Sequence, residues 1–242
     1  MIIFRKKPMS GVLYLLPNTL GNPDISRSIP PLIPELAREV KIYIVENLRN
    51  ARRYLKSLDR DIDIDELTFY ELNEHTAEEE IPGFLEDVLR GSDAAILSEA
   101  GLPGIADPGA RVVAMAHEKG IHVVPLTGPS SILLSLMASG LNGQAFTFHG
   151  YLPVKNPERI RKIKNLDQFV KRSRVTQIFI ETPYRNDALL SDIISTCDDS
   201  TRLCIAADIT MDSEYIKTKA IAAWKNEERP SLHKRPVIFL LG

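Results

Sequence analysis

Apolar positions along this chain fall into two alternating rhythms. Short unbroken runs bounded by Pro, Gly, Asn or charged residues read as buried strands: GVLYLLP (11–17), KIYIVE (41–46), ELTFYEL (66–72), DAAILSE (93–99) and IHVVPLT (121–127). Between them the spacing lengthens to that of helices with one apolar face. SIPPLIPELAREV (28–40) places Ile33, Leu36, Ala37 and Val40 on one side. NLRNARRYLKSL (47–58) and TAEEEIPGFLEDVLRG (76–91) are also predicted helical, the latter despite its internal Pro-Gly. DPGARVVAMAHEKG (107–120) is predicted as a helix with Asp107 as N-cap, Pro108 at its first position and Gly120 as its stop.

Strands alternating with helices describe βαβ units and a parallel sheet. Past residue 127 the rhythm changes. A helix (GPSSILLSLMASG, 128–140) leads to a strand (AFTFHGYLP, 145–153), a charged helix (157–172), a strand (VTQIFIE, 175–181) and a helix (184–196). RLCIAAD (202–208), EYIKTKAIAAW (214–224, strand then helix) and RPVIFLLG (235–242) complete it. Strands now outnumber helices. The expectation is an α/β protein of two α/β domains, an N-terminal one with a parallel sheet (11–126) and a C-terminal one with a mixed sheet (127–242). The opening stretch, residues 1–10, has a basic cluster and a short apolar stub without a signal-peptide core, and is read as a disordered lead-in.

Composition narrows the function classes. A 44% apolar fraction supports a packed core, and a net charge of −2 argues against a uniformly basic nucleic-acid coat while leaving room for a local patch. Cys197 and Cys204 form neither a C-x-x-C pair nor a disulfide framework, so a cytoplasmic location is expected. No apolar run reaches the length of a membrane span, and no membrane association is expected. His75, His117, His122, His149 and His233 lack ligand spacing with Cys or another His, so no metal is expected.

Three loops after predicted strands stand out: PNTLGNPDIS (17–26), SEAGLPGIADPG (98–109) and TGPSS (127–131). In open α/β sheets, ligands bind beyond the carboxyl ends of the strands. Gly, Pro and Asn let backbone approach a ligand closely. Neither G-x-G-x-x-G after the first strand nor G-x-x-x-x-G-K-[ST] occurs, which disfavours NAD and P-loop chemistry. The ligand is expected to be read through backbone groups and shape.

PNTLGNPDIS, ILSEAGLPGIADPG, VVPLTGPSS and IFIETPYR, in this order, resemble the tetrapyrrole (corrin/porphyrin) methylase superfamily, most closely its ribosomal RNA small subunit methyltransferase I branch. The resemblance covers most of residues 11–219. It implies S-adenosylmethionine bound in a cleft between two domains, S-adenosylhomocysteine as product, and a homodimer. By motif position the cofactor contacts would be Leu20, Ala100, Gly101, Leu102, Ile105, Ser130, Ser131, Glu181 and Thr218.

Against the branch pattern, E-D-T-R is here Glu46-Asn47-Leu48-Arg49, S-D-A-G-T-P is Ser98-Glu99-Ala100-Gly101-Leu102-Pro103, and E-S-P-H-R is Glu181-Thr182-Pro183-Tyr184-Arg185. A-R-E-L-T-K is replaced by Ala206-Ala207-Asp208-Ile209-Thr210-Met211. Transfer from a sulfonium donor needs mainly positioning, and a hydroxyl acceptor gains from a base. Among Glu99, Asp107 and Glu181, Glu99 is the first candidate for that base. The expected acceptor is a ribose 2′-hydroxyl of small-subunit ribosomal RNA. A tetrapyrrole or protein side chain as acceptor, or a catalytically silent cofactor-binding module, are the alternatives. Two basic segments, RNARRYLK (49–56) and KNPERIRKIKNLDQFVKRSR (155–174), suit phosphate contacts.

Overall fold

A computed structural model describes residues 10–73 and 75–242; the expected lead-in falls almost wholly outside the described residues. The chain divides into two compact units, one ending at Pro129 and the other spanning Ser130–Gly242.

The first unit is built on one sheet of five strands. These are β1 (Val12–Leu16), β2 (Ile42–Val45), β3 (Thr68–Glu71), β4 (Ala94–Leu97) and β5 (His122–Pro125), in the spatial order β3-β2-β4-β1-β5. Every pairing is parallel. β2 and β4 are buried throughout, as continuous apolar runs predict for a sheet covered on both faces. Alternation along β2 sorts its side chains. Tyr43 and Val45 join a core with Ile33, Ala37, Tyr54 and Leu55 from α1 (Leu32–Glu39) and α2 (Leu48–Leu58). Ile42 and Ile44 face the opposite core, with Leu85 and Val88 and with Val112 and Ala116 of α4 (Gly109–Glu118).

The helix expected over 76–91 is shorter than its spacing suggested. A 3-10 turn (Ile81–Leu85) leads into a single helical turn, α3 (Glu86–Leu89), and the residues before Ile81 form no helix. Pro82 lacks an N–H and Gly83 is a poor helix former, so regular α-helix starts only at Glu86. Ile81, Phe84, Leu85 and Val88 still turn inward. The apolar spacing is therefore met by two short tight elements.

The second unit holds β6 (Phe146–Tyr151), β7 (Thr176–Ile180), β8 (Arg202–Ala207), β9 (Tyr215–Ala220) and β10 (Val237–Leu241), ordered β6-β7-β10-β8-β9. β6 and β7 are parallel and the remaining pairs antiparallel, giving the mixed sheet expected. α6 (Asn156–Ser173), α7 (Asn186–Thr196) and α8 (Ile221–Asn226) contribute Ile163, Leu189, Ile193 and Trp224 to one core with Phe179, Leu203, Ile205 and Phe239. The Trp224 indole donates to Leu203 O at 3.0 Å, so its one polar atom is satisfied inside that core. α5 (Ser131–Ser139) opens the unit. Among the described residues no helix is long and apolar enough to cross a membrane.

Candidate active site

β4 and β1 are neighbours, so the loops that follow them leave the sheet side by side. Asn18 fastens one to the other. Its amide Nδ2 donates to Ser98 O and Glu99 O, both at 3.0 Å, and its backbone N–H donates to Gly101 O at 2.8 Å. Gly101 N–H returns a bond to Thr19 O at 3.3 Å. Gly101 has φ +72°, and a Cβ there would stand 3.3 Å from both Leu20 Cδ2 and Pro129 O. Three loops therefore converge on a residue whose left-handed backbone favours glycine and whose surroundings leave little room for a side chain. Leu102 packs on the third loop, its Cδ2 lying 3.3 Å from where a Gly128 Cβ would stand. Leu20, Ala100, Gly101 and Leu102 are thus brought together, and Ile105 lies exposed three residues further along the same loop.

The loop closes on Asp107. Its Oδ1 accepts from Gly104 N–H and Gly109 N–H, both at 2.8 Å, but the N-cap of α4 is Pro108, not Asp107 as predicted: the helix begins at Gly109, one residue late, and Asp107 braces the loop just before the cap. The preceding residue, Ala106, is held at φ +62°, a left-handed conformation that costs a non-glycine residue energy and collects at functional loops. Asp107 Oδ2 is buried without a partner, and burial raises this carboxyl above its ordinary range.

Beside it lies a cleft of about 660 Å³ lined by Glu46, Asn47, Asn73, Glu99, Asp107 and Arg111, among others. Glu46 follows β2, and its Oε1 accepts from Glu99 N–H at 3.2 Å. Burial, then the charges of Asp107 and Glu99, push the Glu46 carboxyl upward against that hydrogen bond. Glu99 is exposed, and its Oε2 accepts from Asn50 Nδ2 at 2.5 Å. Asn50 itself stands in the first turn of α2, whose N-cap Asn47 accepts from Asn50 N–H at 3.0 Å. The amide at position 47 thus performs the capping that a carboxylate would, and the departure from E-D-T-R leaves this corner intact.

In the second unit Ser130 is the N-cap of α5, its hydroxyl accepting from Leu133 N–H at 3.4 Å, and Ser131 is the first helical residue. Thr218 on β9 lies by the other end of α5. Its hydroxyl donates to Ser139 O at 2.7 Å, at the far end of α5, a helix length of roughly 13 Å from Ser130 by the 1.5 Å rise per residue. Glu181 follows β7 with its side chain wholly buried; Oε1 accepts from Thr182 N–H (2.7 Å) and Arg185 Nη2 (2.6 Å), while Oε2 has no partner.

The family described as Tetrapyrrole (Corrin/Porphyrin) Methylases matches residues 24–223. This chain belongs to that family. Within it, the relatives of this tetrapyrrole methylase include proteins named Ribosomal RNA small subunit methyltransferase I. That of Micromonospora olivasterospora is 34% identical over 85% of this chain and 61% of its own length. That of Streptococcus pyogenes serotype M3 is 32% identical over 99% and 79%. The chain thus spans under two thirds of the first and about four fifths of the second. Among solved structures, the methyltransferase CobJ aligns with TM-score 0.63 at 16% identity, covering 96% of this chain and 94% of its own. A uroporphyrin-III C-methyl transferase from Thermus thermophilus, complexed with S-adenyl homocysteine, aligns with TM-score 0.55 at 18% identity over 96% and 97%. These two share the fold of this family member.

Motif reading found the converging loops of this methylase but missed their fastenings. Asn18 was visible only as part of PNTLGNPDIS, and its bonds reach 80 and 81 residues along the chain. Asn50 gave no signal, because its bond to Glu99 spans 49 residues. Arg111 lies on an ordinary helix and is brought to the cleft by the fold alone.

Proposed function

We propose that this protein transfers the methyl group of S-adenosylmethionine to a ribose 2′-hydroxyl of small-subunit ribosomal RNA, with S-adenosylhomocysteine as product. The observation that carries the reading is the Gly101 cradle. There a left-handed glycine, packed against Leu20 and the Pro129 carbonyl and hydrogen-bonded to Asn18 and Thr19, draws together the loops after β1, β4 and β5 at the carboxyl ends of the parallel strands, where open α/β sheets bind ligands. Ala100, Gly101, Leu102 and Ile105 are proposed cofactor contacts. Ser130, Ser131 and Glu181 are also proposed contacts, and Thr218 a weaker one. Bound there, the cofactor supplies a methyl group already activated on a sulfonium. What the chain itself must do is present the acceptor oxygen and take its proton. Glu99 is suited to the second role, because Asn50 holds one carboxylate oxygen while the other takes no hydrogen bond from any described residue. The proton leaves the hydroxyl for Glu99 as the oxygen gains its methyl group. The names of the ribosomal RNA methyltransferase relatives support small-subunit ribosomal RNA as the acceptor.

The test is a transfer assay with labelled S-adenosylmethionine on undermethylated small ribosomal subunits. Transfer should require Glu99: Glu99→Gln should lower kcat by roughly 10²- to 10⁴-fold, the range for loss of a positioned base, with cofactor affinity retained. Absence of label in ribosomal RNA from the wild-type reaction would overturn the reading. The cytoplasm is the proposed compartment, supported by Cys197 and Cys204, which are buried as free thiols. A homodimer is the proposed assembly.

A further inference from the structure

We propose that the exposed face of α2 is a phosphate track that guides the acceptor strand to Glu99. The inference rests on the ribosomal RNA reading and locates where the strand outside the cleft is held. Arg49, Arg53 and Lys56 are spaced i, i+4, i+7 and so form one stripe along the helix, and all three are exposed. At the far end the stripe opens on a second cleft, of about 790 Å³, lined by Arg53, Lys56, Arg60 and Arg38 together with Asp59 and Asp61. Asp59 is already committed, paired with Arg38 and accepting from Asp61 N–H at 2.8 Å. Lys56 Nζ donates to Arg60 O at 2.9 Å, which draws the ammonium across the cleft. Among the described residues, Arg49, Arg53 and Arg60 have no carboxylate partner. Asp61 is the one opposing charge left in the cleft, against three cations.

Direction comes from the near end. Arg49 adjoins Asn50, whose amide holds Glu99. From Arg49 to Lys56 the helix rises roughly 10 Å, so the stripe runs from the mouth of the first cleft to the second. Arg52, which the basic segment also includes, does not belong to it. Its guanidinium lies over the Phe69 ring, 5.5 Å from the centroid. Cations near a helix C-terminus also answer the helix dipole, which accounts for Lys56; Arg53 is mid-helix and Arg60 lies beyond the end, and the dipole explains neither. A row of unpaired guanidiniums leading to the proposed base is the arrangement of an electrostatic groove that follows a nucleic-acid backbone.

The experiment compares the wild-type chain with a triple variant, Arg53→Ala, Lys56→Ala and Arg60→Ala, and with a control that removes equal charge elsewhere, Lys41→Ala, Lys119→Ala and Lys217→Ala. Alanine is well tolerated in a helix, and thermal melting checks folding of each. With undermethylated small subunits as acceptor, the triple variant should raise KM tenfold or more, with kcat within about twofold. Its log–log salt dependence should flatten by about 2 to 3, at 0.7 to 0.9 per lost phosphate contact. Cofactor affinity should be unchanged, and Arg53→Lys with Arg60→Lys should keep most of the binding, because a point charge suffices for phosphate. Anisotropy with a single-stranded RNA gives the same salt slope without turnover. An unchanged slope in the triple variant, or an equal loss in the control, overturns the track. If the wild type transfers no methyl group, the proposed function fails, and the anisotropy slope alone decides the track.

Discussion

A methyl group at position 101 would stand 3.3 Å from both Leu20 Cδ2 and the Pro129 carbonyl, on a backbone at φ +72°. Gly101→Val adds branching to that conflict and pushes apart the loops proposed to hold the cofactor. Calorimetry on the folded variant should find no S-adenosylmethionine binding; unaltered affinity would remove the cofactor site from this loop. Glu46 poses a different residue-scale problem, because burial and two neighbouring carboxylates raise its pKa from the ordinary 4.5. A carboxyl whose folded pKa is raised binds its proton more tightly in the folded state. Its stabilising contribution is therefore complete below about pH 4.5 and is lost as pH rises through the elevated value. Glu46→Gln keeps the neutral shape at every pH. Urea unfolding across pH 4 to 8 should show the variant gaining on the wild type through that window and then running parallel to it. A difference independent of pH would mean that Glu46 titrates normally.

Elements were read from the sequence with uneven success, for physical reasons. Strands such as β2 and β4 are buried on both faces, so their unbroken apolar runs admitted one reading. The stretch at 76–91 did not, because apolar residues spaced three and four apart suit a 3-10 turn plus one α turn as well as a full helix. α5 buries Leu136 but divides its other polar and apolar residues in an unusual way. It buries Ser135 and Ser139, whose hydroxyls donate to Ile132 O and Leu136 O, while Leu133 is 47% and Met137 77% exposed. Apolar side chains one turn apart on the outer face ask for a cover, and a second copy of the chain is the proposed one. Light scattering at micromolar concentration should give twice the chain mass, 27.1 kDa, for the wild type and the monomer mass for Leu133→Glu with Met137→Glu. A monomeric wild type would leave α5 without its partner and end the dimer reading.

At the scale of the molecule, the change from parallel to mixed sheet was legible as a change in the ratio of helices to strands. The order of strands within each sheet was not, since it depends on pairings between residues far apart in the chain. That order has a consequence for how the protein is made. β10 lies between β7 and β8, bonded to both, yet it follows every other strand described. During synthesis, from the N-terminus onward, β7 and β8 emerge with facing edges that have nothing to pair with. The second unit must hold those edges open, exposed to mispairing, until its central strand arrives. The first unit has all five of its strands before the second begins, and can fold while the ribosome is still adding its neighbour.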